Sequence, residues 1–258
     1  MDIQILSAES LGVRGLCCYV KTGQRDILID PGMALGYMRH KLLPHPKQVV
    51  MAEMARRRII SLWEKATDIV FSHFHGDHVP LVDANPYQLH VRELEGLNNR
   101  ARAWRKNSDH LSPHEAVREE SLRAARGLHF LDGENVRHGP LHFSCAVPHG
   151  DPDVTDESVM MTQVEEDKRF LHAPDIQLLH DQTVSQILEW QPDILLAGGP
   201  ALYLSRLNEK QINRAWQNAL RLARKIDLFI LDHHLLRCTE GINWLDQLST
   251  AAGKRVLC

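Results

Sequence analysis

The stretch 69–80 constrains the fold more than any other part of the sequence, because it places four metal-binding side chains within six residues. These side chains directly follow a short apolar run and are His73, His75, Asp77 and His78. If residues 67–71 form a strand, His73 and His75 continue its period of two and lie on one side of the chain end. Imidazole and carboxylate groups suit Zn²⁺ and also accept Fe or Mn. The stretch therefore predicts a metal site.

Gly76 separates this motif into two pairs of ligands. A residue without a Cβ allows the backbone to turn sharply after His75. Beyond the turn, Asp77 and His78 can face a second ion close to the first. The motif is thus compatible with a pair of divalent cations, which we expect to be Zn²⁺, with Mn²⁺ or Fe²⁺ as alternatives.

Three later segments place further ligand types at the ends of apolar strands, where rigid elements hold positions well. His149 follows the run Ala-Val-Pro, and Asp175 closes a second apolar strand. A carboxylate in the latter place can bridge two ions. The third segment carries His233 and His234, one of which is expected to join the second ion. Spacing does not decide between these two histidines, although we favour His233.

Two aspartates are candidates for orienting the ligands by hydrogen bonding to them without contacting the metal. Asp30 ends a strand before Pro31 and Gly32, where it can either hold a metal-binding histidine or bond its own turn. Asp232 precedes the histidine pair and can hydrogen-bond to its neighbours. Gly198 and Gly199 follow another strand as either a tight exit turn or a loop beside the substrate.

The ligand order His-x-His-x-Asp-His, followed by His149, Asp175 and the 233–234 pair, resembles that of the metallo-β-lactamase superfamily. The segments Ile-Leu-Ile-Asp-Pro-Gly, Leu-Leu-Pro-His-Pro, Ala-Val-Pro-His-Gly and Leu-Asp-His-His-Leu-Leu-Arg are similar to those of a little-characterised family of predicted metal-dependent hydrolases found largely in archaea. The resemblance covers nearly the whole chain. It implies a four-layer αββα sandwich with a metal pair, and it names no substrate.

The order of predicted elements agrees with an α/β (α+β) chain that forms one domain over 1–258. An antiparallel meander opens the chain, and strands and helices alternate later, ending in a helix at 241–251 and a strand at 254–257. Two mixed sheets with helices on both outer faces satisfy this order. Residues 83–127 are predicted to form a helical insert. Its cations either make a lid over an anionic substrate or belong to a solvated helical face.

Composition and charge indicate which binding partners and which cellular location to expect. A formal net charge of −3 gives no broad electrostatic reason to bind nucleic acid or an anionic membrane. No apolar run reaches the roughly 20 residues of a membrane span, and the N-terminus lacks the pattern of a secretory signal. Five scattered cysteines suit reduced thiols. We therefore expect a cytoplasmic protein that acts on a small molecule; the sequence does not indicate its oligomeric state.

The predicted function is metal-dependent hydrolysis of a carbonyl or phosphoryl ester by a hydroxide that bridges two metal ions. Asp77 can accept the proton of the attacking water. Phosphodiesterase, lactonase and thioesterase activities are not separated by the sequence. One alternative is an iron-dependent oxidoreductase of the same fold, although relatives of that kind carry glutamate where this chain has His75. The other is a non-catalytic metal-binding module, whose usual mark, a missing ligand, is absent here.

Overall fold

The computed structural model describes residues 1–38, 41–97 and 100–258. The chain divides into two compact units, residues 1–134 and residues 135–258. Each unit contains a six-stranded sheet in which antiparallel and parallel pairs are combined. The predicted α+β class, with two mixed sheets and accompanying helices, is confirmed.

The sheet of the first unit has its strands in sequence order. Its strands are β1 (Asp2–Ile5), β2 (Cys18–Lys21), β3 (Asp26–Ile29), β4 (Asp68–Phe71), β5 (Arg102–Arg105) and β6 (Phe130–Asp132). The first three strands pair antiparallel, as the predicted meander requires, and β3 to β6 pair parallel. A parallel pair needs a long crossover. Helix α1 (Pro46–Trp63) lies in the connection before β4, and helix α2 (Pro113–Arg126) lies in the one before β6.

The sheet of the second unit runs from antiparallel to parallel pairing. Its strands are β7 (Arg137–His138), β8 (Leu141–Pro148), β9 (Ser158–Glu165), β10 (Arg169–Ala173), β11 (Ile194–Ala197) and β12 (Leu228–Leu231). The pairs from β7 to β10 are antiparallel, and those from β10 to β12 are parallel. Its helices are α3 (Asp181–Trp190), α4 (Glu209–Lys225) and α5 (Thr239–Ala252). The first two of these make the parallel crossovers.

The buried face of α1 differs from the one that its large apolar residues suggest. Val50 and Met54 are each 59% exposed. The buried side is formed instead by Ala52, Ala55, Ile59, Leu62 and Trp63. These five residues belong to the hydrophobic core cluster of the first unit. Helical spacing alone did not separate these two faces.

Two helix starts follow the capping rules. Ser112 and Glu115 form a capping box at the start of α2, and Gly127 ends that helix in the left-handed conformation. His45 is exposed and caps α1, since its Nδ1 accepts a hydrogen bond from the Lys47 amide at 3.1 Å. The role that the structure gives His45 is therefore helix capping.

Three elements differ from the sequence prediction. Strand β5 lies inside segment 83–127, so only part of the described residues of this segment is helical. The short strand β7 was also not predicted. Residues 254–257 form no strand, and a single parallel bridge joins Ile230 to Leu257. None of the helices in the described ranges has the length and apolar character needed to cross a membrane.

Candidate metal-binding clusters

The first cluster lies after two neighbouring parallel strands of the first unit. Asp30 directly follows β3, and the motif 73–78 follows β4. The carboxyl ends of adjacent parallel strands meet at one edge of a sheet, so these residues come together. Asp30, His73 and His78 are buried, and one ligand atom from each lies within 4.8 Å of the others.

The carboxylate of Asp30 holds both buried histidines. Its Oδ2 lies 3.0 Å from Nδ1 of His78 and accepts a hydrogen bond from the Ser72 hydroxyl at 2.6 Å. Because the Ser72 proton goes to Asp30, its oxygen is left to accept from Nδ1 of His73, which is 2.8 Å away. Both imidazoles then carry their proton on Nδ1 and keep the lone pair on Nε2 for a metal ion. An orienting role of Asp30 needs these contacts, and the role itself stays a prediction.

The other two members of the motif lie beside this buried pair. His75 and Asp77 are partly buried. The rings of His73 and His75 are adjacent, with centroids 4.5 Å apart. This proximity agrees with two side chains on the same side of the extended chain end.

Two glycines allow the chain to approach the motif closely. A Cβ on Gly32 would lie 2.2 Å from the amide nitrogen of Val79, and one on Gly15 would lie 2.4 Å from the carbonyl oxygen of Asp77. Neither position has room for a side chain. A Cβ added to Gly76 would lie 3.0 Å from the side-chain ends of Gln88 and Leu81. A side chain at position 76 would therefore require these neighbouring side chains to move.

Most cations of segment 83–127 are engaged within the first unit. They bind carboxylates or a backbone carbonyl in the pairs Arg102–Asp68, Arg105–Asp132, Lys106–Glu115, Arg123–Glu120 and Arg126–Leu97. Arg118 differs from these, because it donates to the carbonyl oxygen of Phe74, inside the metal motif. Its position connects α2 to the candidate ligands.

The second cluster lies at strand ends of the second unit. His149 follows β8, Asp175 follows β10, and the 233–234 pair follows β12. The Asp175 carboxylate is the centre of this cluster. Its Oδ2 lies 2.9 Å from Nε2 of His149 and 3.3 Å from Nε2 of His234, while its Oδ1 lies 3.1 Å from Nε2 of His233. The structure thus brings together His149, Asp175 and both histidines of the 233–234 pair, one of which the sequence predicts as a ligand.

Several site residues adopt a backbone conformation that is uncommon for residues with a side chain. Asp30, Asp175 and His233 have φ values of 48°, 57° and 56°. Such conformations cost energy and persist where surrounding contacts enforce them, often at functional sites. In the second unit Gly198 packs closely on one of these residues, since a Cβ added to it would lie 3.0 Å from the backbone of Asp175. The Gly198–Gly199 turn therefore brings the end of β11 against Asp175.

His233 and His234 have partners that sequence reasoning missed. Nδ1 of His234 lies 3.2 Å from the Tyr203 hydroxyl. Arg237 donates to the same hydroxyl at 3.1 Å and lies 2.8 Å from Nε2 of His233. Arg237 is four residues after His233, a spacing that could have suggested it, whereas no sequence signal indicated Tyr203.

The electrostatic state of His234 suits a metal ligand. Burial lowers its pKa to about 3, even though the Asp175 carboxylate acts in the opposite direction. The imidazole is therefore neutral near pH 7, and only a neutral imidazole binds a metal.

Two further residues of the second unit contact members of this cluster, and a third packs against the hydrophobic core. Asp232 accepts a hydrogen bond from the amide of His233 at 2.5 Å, which fixes the turn through the backbone. Gln177, which the sequence did not suggest, lies with its amide nitrogen 3.3 Å from Nδ1 of His149. Cys145 packs against the hydrophobic core of the second unit.

The donor sets of both clusters fit divalent metal ions. Each contains imidazoles and a buried carboxylate, which are ligand types that Zn²⁺, Mn²⁺ and Fe²⁺ share. The tautomers in the first cluster are set by a second hydrogen bond, as is usual for metal-binding histidines. An apolar core would not explain such a concentration of titratable groups below the surface.

Two solved structures share the fold of this chain. An isothiocyanate hydrolase from Delia radicum gut bacteria matches with a TM-score of 0.56 and 12% identity, covering 94% of this chain and 91% of that one. Unliganded yeast PDE1 matches with a TM-score of 0.55 and 14% identity, covering 99% and 95%. Both are hydrolases with the metallo-β-lactamase fold. The chain therefore has this fold as well.

Sequence relatives place the chain in a family. A UPF0282 protein of Methanosarcina mazei is 45% identical over 259 residues, covering 100% of this chain and 85% of the relative. A UPF0282 protein of Thermococcus gammatolerans is 33% identical over 270 residues, covering 96% and 86%. That of Pyrococcus horikoshii is 33% identical over 259 residues, covering 92% and 81%. The chain belongs to the UPF0282 protein family. No protein-family model matches it.

Proposed function

We propose that this protein is a metal-dependent hydrolase of the metallo-β-lactamase superfamily that binds two divalent ions, with Zn²⁺ as the expected metal. The observation that carries the proposal is the Asp30–His78 pair in the first cluster, where a buried carboxylate fixes an imidazole for metal binding. The hydrolases that share the fold support the reaction class. The proposed ligands are those predicted from the sequence, namely His73, His75, Asp77, His78, His149, Asp175 and one of His233 and His234.

The side chains of the two clusters have distinct tasks in this proposal. Asp30 and Ser72 keep Nε2 of His73 and His78 unprotonated. Asp175 offers both carboxylate oxygens, which suits a bridging ligand. Asp77 is only partly buried and is the proposed acceptor of the water's proton. When bound, the metal ions supply Lewis acidity that lowers the pKa of water and polarises the substrate oxygen.

The proposed substrate is a small molecule with a carbonyl or phosphoryl ester. Assays with phosphodiesters, lactones and thioesters would identify the substrate class. The internal pairing of most cations in segment 83–127 leaves Arg118 as the member of that group in contact with the metal motif. A cytoplasmic location remains part of the proposal, supported by five cysteines that form no disulfide.

The first experiment measures metal content and activity together. The purified protein is analysed for bound metals and assayed with esters, lactones, thioesters and phosphodiesters in the presence of Zn²⁺ or Mn²⁺. We expect about two equivalents of divalent metal, as in two-metal hydrolytic sites, and turnover of at least one substrate class that chelation abolishes. Iron near one equivalent without hydrolysis would instead favour the redox alternative.

Single variants test the ligand assignment. His73→Ala and Asp175→Ala should each lower metal content and abolish turnover, because each removes a ligand. His142→Ala is the control, since this histidine stacks on Trp190 at 4.0 Å outside both clusters. His233→Ala and His234→Ala, compared by metal content, separate the two candidates. Full activity of metal-free protein would refute the proposal.

A further inference from the structure

Helix α2 reaches the backbone between the first two histidines of the motif. The amide of Phe74 donates to Oε1 of Glu115 at 3.0 Å, and the carbonyl oxygen of Phe74 accepts from Nη1 of Arg118 at 3.0 Å. Phe74 is the residue between His73 and His75. Its amide belongs to the peptide group on one side and its carbonyl to the peptide group on the other. Both peptide groups that separate the two histidines are therefore bonded to α2.

Glu115 is itself fixed by an ion pair below the surface. The side chain of Lys106 is 0% exposed and that of Glu115 is 2% exposed, with Nζ lying 2.9 Å from Oε1. Oε2 accepts a further hydrogen bond from the amide of Ser112 at 2.9 Å. Burial raises the pKa of Glu115, but Lys106 and the amides of Ser112 and Phe74 outweigh it and lower the pKa overall. Glu115 is thus a charged acceptor with a fixed orientation.

The ring of Phe74 is held as firmly as its backbone. It stacks on Phe71 with centroids 5.7 Å apart and meets Phe130 edge-on at 5.7 Å. The rings of the residues on either side of Phe74, His73 and His75, lie beside each other with centroids 4.5 Å apart. Three independent contacts therefore fix the residue that sets the spacing of the two imidazoles.

A buried ion pair is not needed for stability alone. Replacing such a pair by apolar residues of similar size is often neutral or stabilising, because desolvation offsets the attraction. The Lys106–Glu115 pair instead presents an acceptor to one particular amide within the metal motif. That placement indicates a geometric task.

We propose that Glu115, held by Lys106, and Arg118 are positioning residues that set the separation and direction of His73 and His75 for metal binding. This inference rests on the proposed metal-dependent function. It also gives segment 83–127 a role as a support for the metal motif, in addition to any role as a lid.

The test compares two buried carboxylates in the same unit. Glu115→Gln keeps the size of the side chain and loses the charge, while Asp68→Asn makes the same change at a buried carboxylate that contacts no part of the motif. Zn²⁺ affinity is measured by chelator competition, and the absorption spectrum of the Co²⁺-loaded protein reports ligand geometry. We expect Glu115→Gln to bind Zn²⁺ about 10–100-fold more weakly, with an altered Co²⁺ spectrum. Asp68→Asn should lower thermal stability and leave both readouts unchanged.

Arg118 provides a second pair of variants in case Glu115→Gln does not fold. Arg118→Met removes the donor to the Phe74 carbonyl, and Arg118→Lys retains one. Weaker Zn²⁺ binding by the methionine variant, with recovery in the lysine variant, supports the inference. It is overturned if the wild-type protein binds Zn²⁺ and the folded variants match its affinity and Co²⁺ spectrum. If the wild-type protein binds no divalent metal, the proposed function itself fails.

Discussion

Oδ2 of Asp30 lies 3.0 Å from Nδ1 of His78, and both side chains are completely buried. The same carboxylate reaches His73 through the hydroxyl of Ser72. One residue at the end of β3 therefore sets the tautomer of two candidate ligands after β4. Asp30 is not a proposed metal ligand, because its carboxylate is bonded to Ser72 and His78. A change at Asp30 should still affect metal binding through His73 and His78.

Replacing Asp30 by alanine should weaken metal binding about 10–100-fold, the usual effect of removing the partner of a ligand histidine. Ser72 and His78 would lose their acceptor, and His78 could then carry its proton on Nε2. Zn²⁺ affinity by chelator competition is the measurement. Asp26→Ala, on the same strand but bonded to Tyr19, is the matched control. Equal affinities for the two variants would contradict the orienting role.

Gly32→Ala should destabilise the protein by about 3 kcal/mol or more, because the added Cβ would lie 2.2 Å from the amide nitrogen of Val79. The clash falls on backbone next to His78, so metal affinity should fall as well. Gly96→Ala is the control, since its φ is 77° and no atom of the residues that the structure describes lies within 4 Å of the added Cβ. It should cost only about 1 kcal/mol of backbone strain. Urea unfolding distinguishes the two results.

Asp68→Ala should lower the free energy of unfolding by about 2–3 kcal/mol. Asp68 accepts hydrogen bonds from Arg25, Arg102 and the indole of Trp104 at the start of β4. Partial exposure of the two arginines keeps the expected cost below that of a fully buried pair. Urea unfolding is the measurement. Arg57→Ala, which breaks an exposed pair with Glu53, should change stability by less than about 0.5 kcal/mol.

The contribution of Glu115 to stability should depend on pH. Its pKa in the folded protein is below the ordinary value of 4.5, because Lys106 and backbone donors outweigh the effect of burial. As the pH falls, the unfolded chain takes up the proton first, so the stabilisation is present above pH 4.5 and is lost as the pH passes through the folded pKa. Glu115→Gln should therefore be less stable than wild type near pH 7, and the difference should narrow in acid. A difference that grows as the pH falls would contradict this sign.

The sequence predicted the elements that carry the ligands better than the elements between them. The apolar runs ending at Phe71, Ala173 and Leu231 are strands, and each is followed by candidate ligands. The four-residue strand β5, which begins and ends in arginine, was not predicted. Its Arg102 is bonded to the buried Asp68, a partner 34 residues earlier in the chain. Local patterns contain no information about such a partner.

The same distinction applies to α1 and to the residues around the clusters. Apolar residues recur at helical spacing along α1, but Val50 and Met54 are exposed while Ala52 and Ala55 are buried. Tyr203 contacts His234 across 31 residues of sequence, and Glu115 contacts Phe74 across 41. No sequence pattern indicated either contact, so each could be found only from the fold.

The sequence by itself determined the ligand types, their order and their places after apolar strands, because metal chemistry and strand periodicity act over a few residues. Only the tertiary structure decided that Asp30 holds His73 and His78, that Gly15 and Gly32 admit the chain beside the motif, and that α2 bonds to Phe74. Those relationships join segments that are distant in sequence. Such segments meet only when the folded chain buries its apolar residues and pairs its buried polar groups.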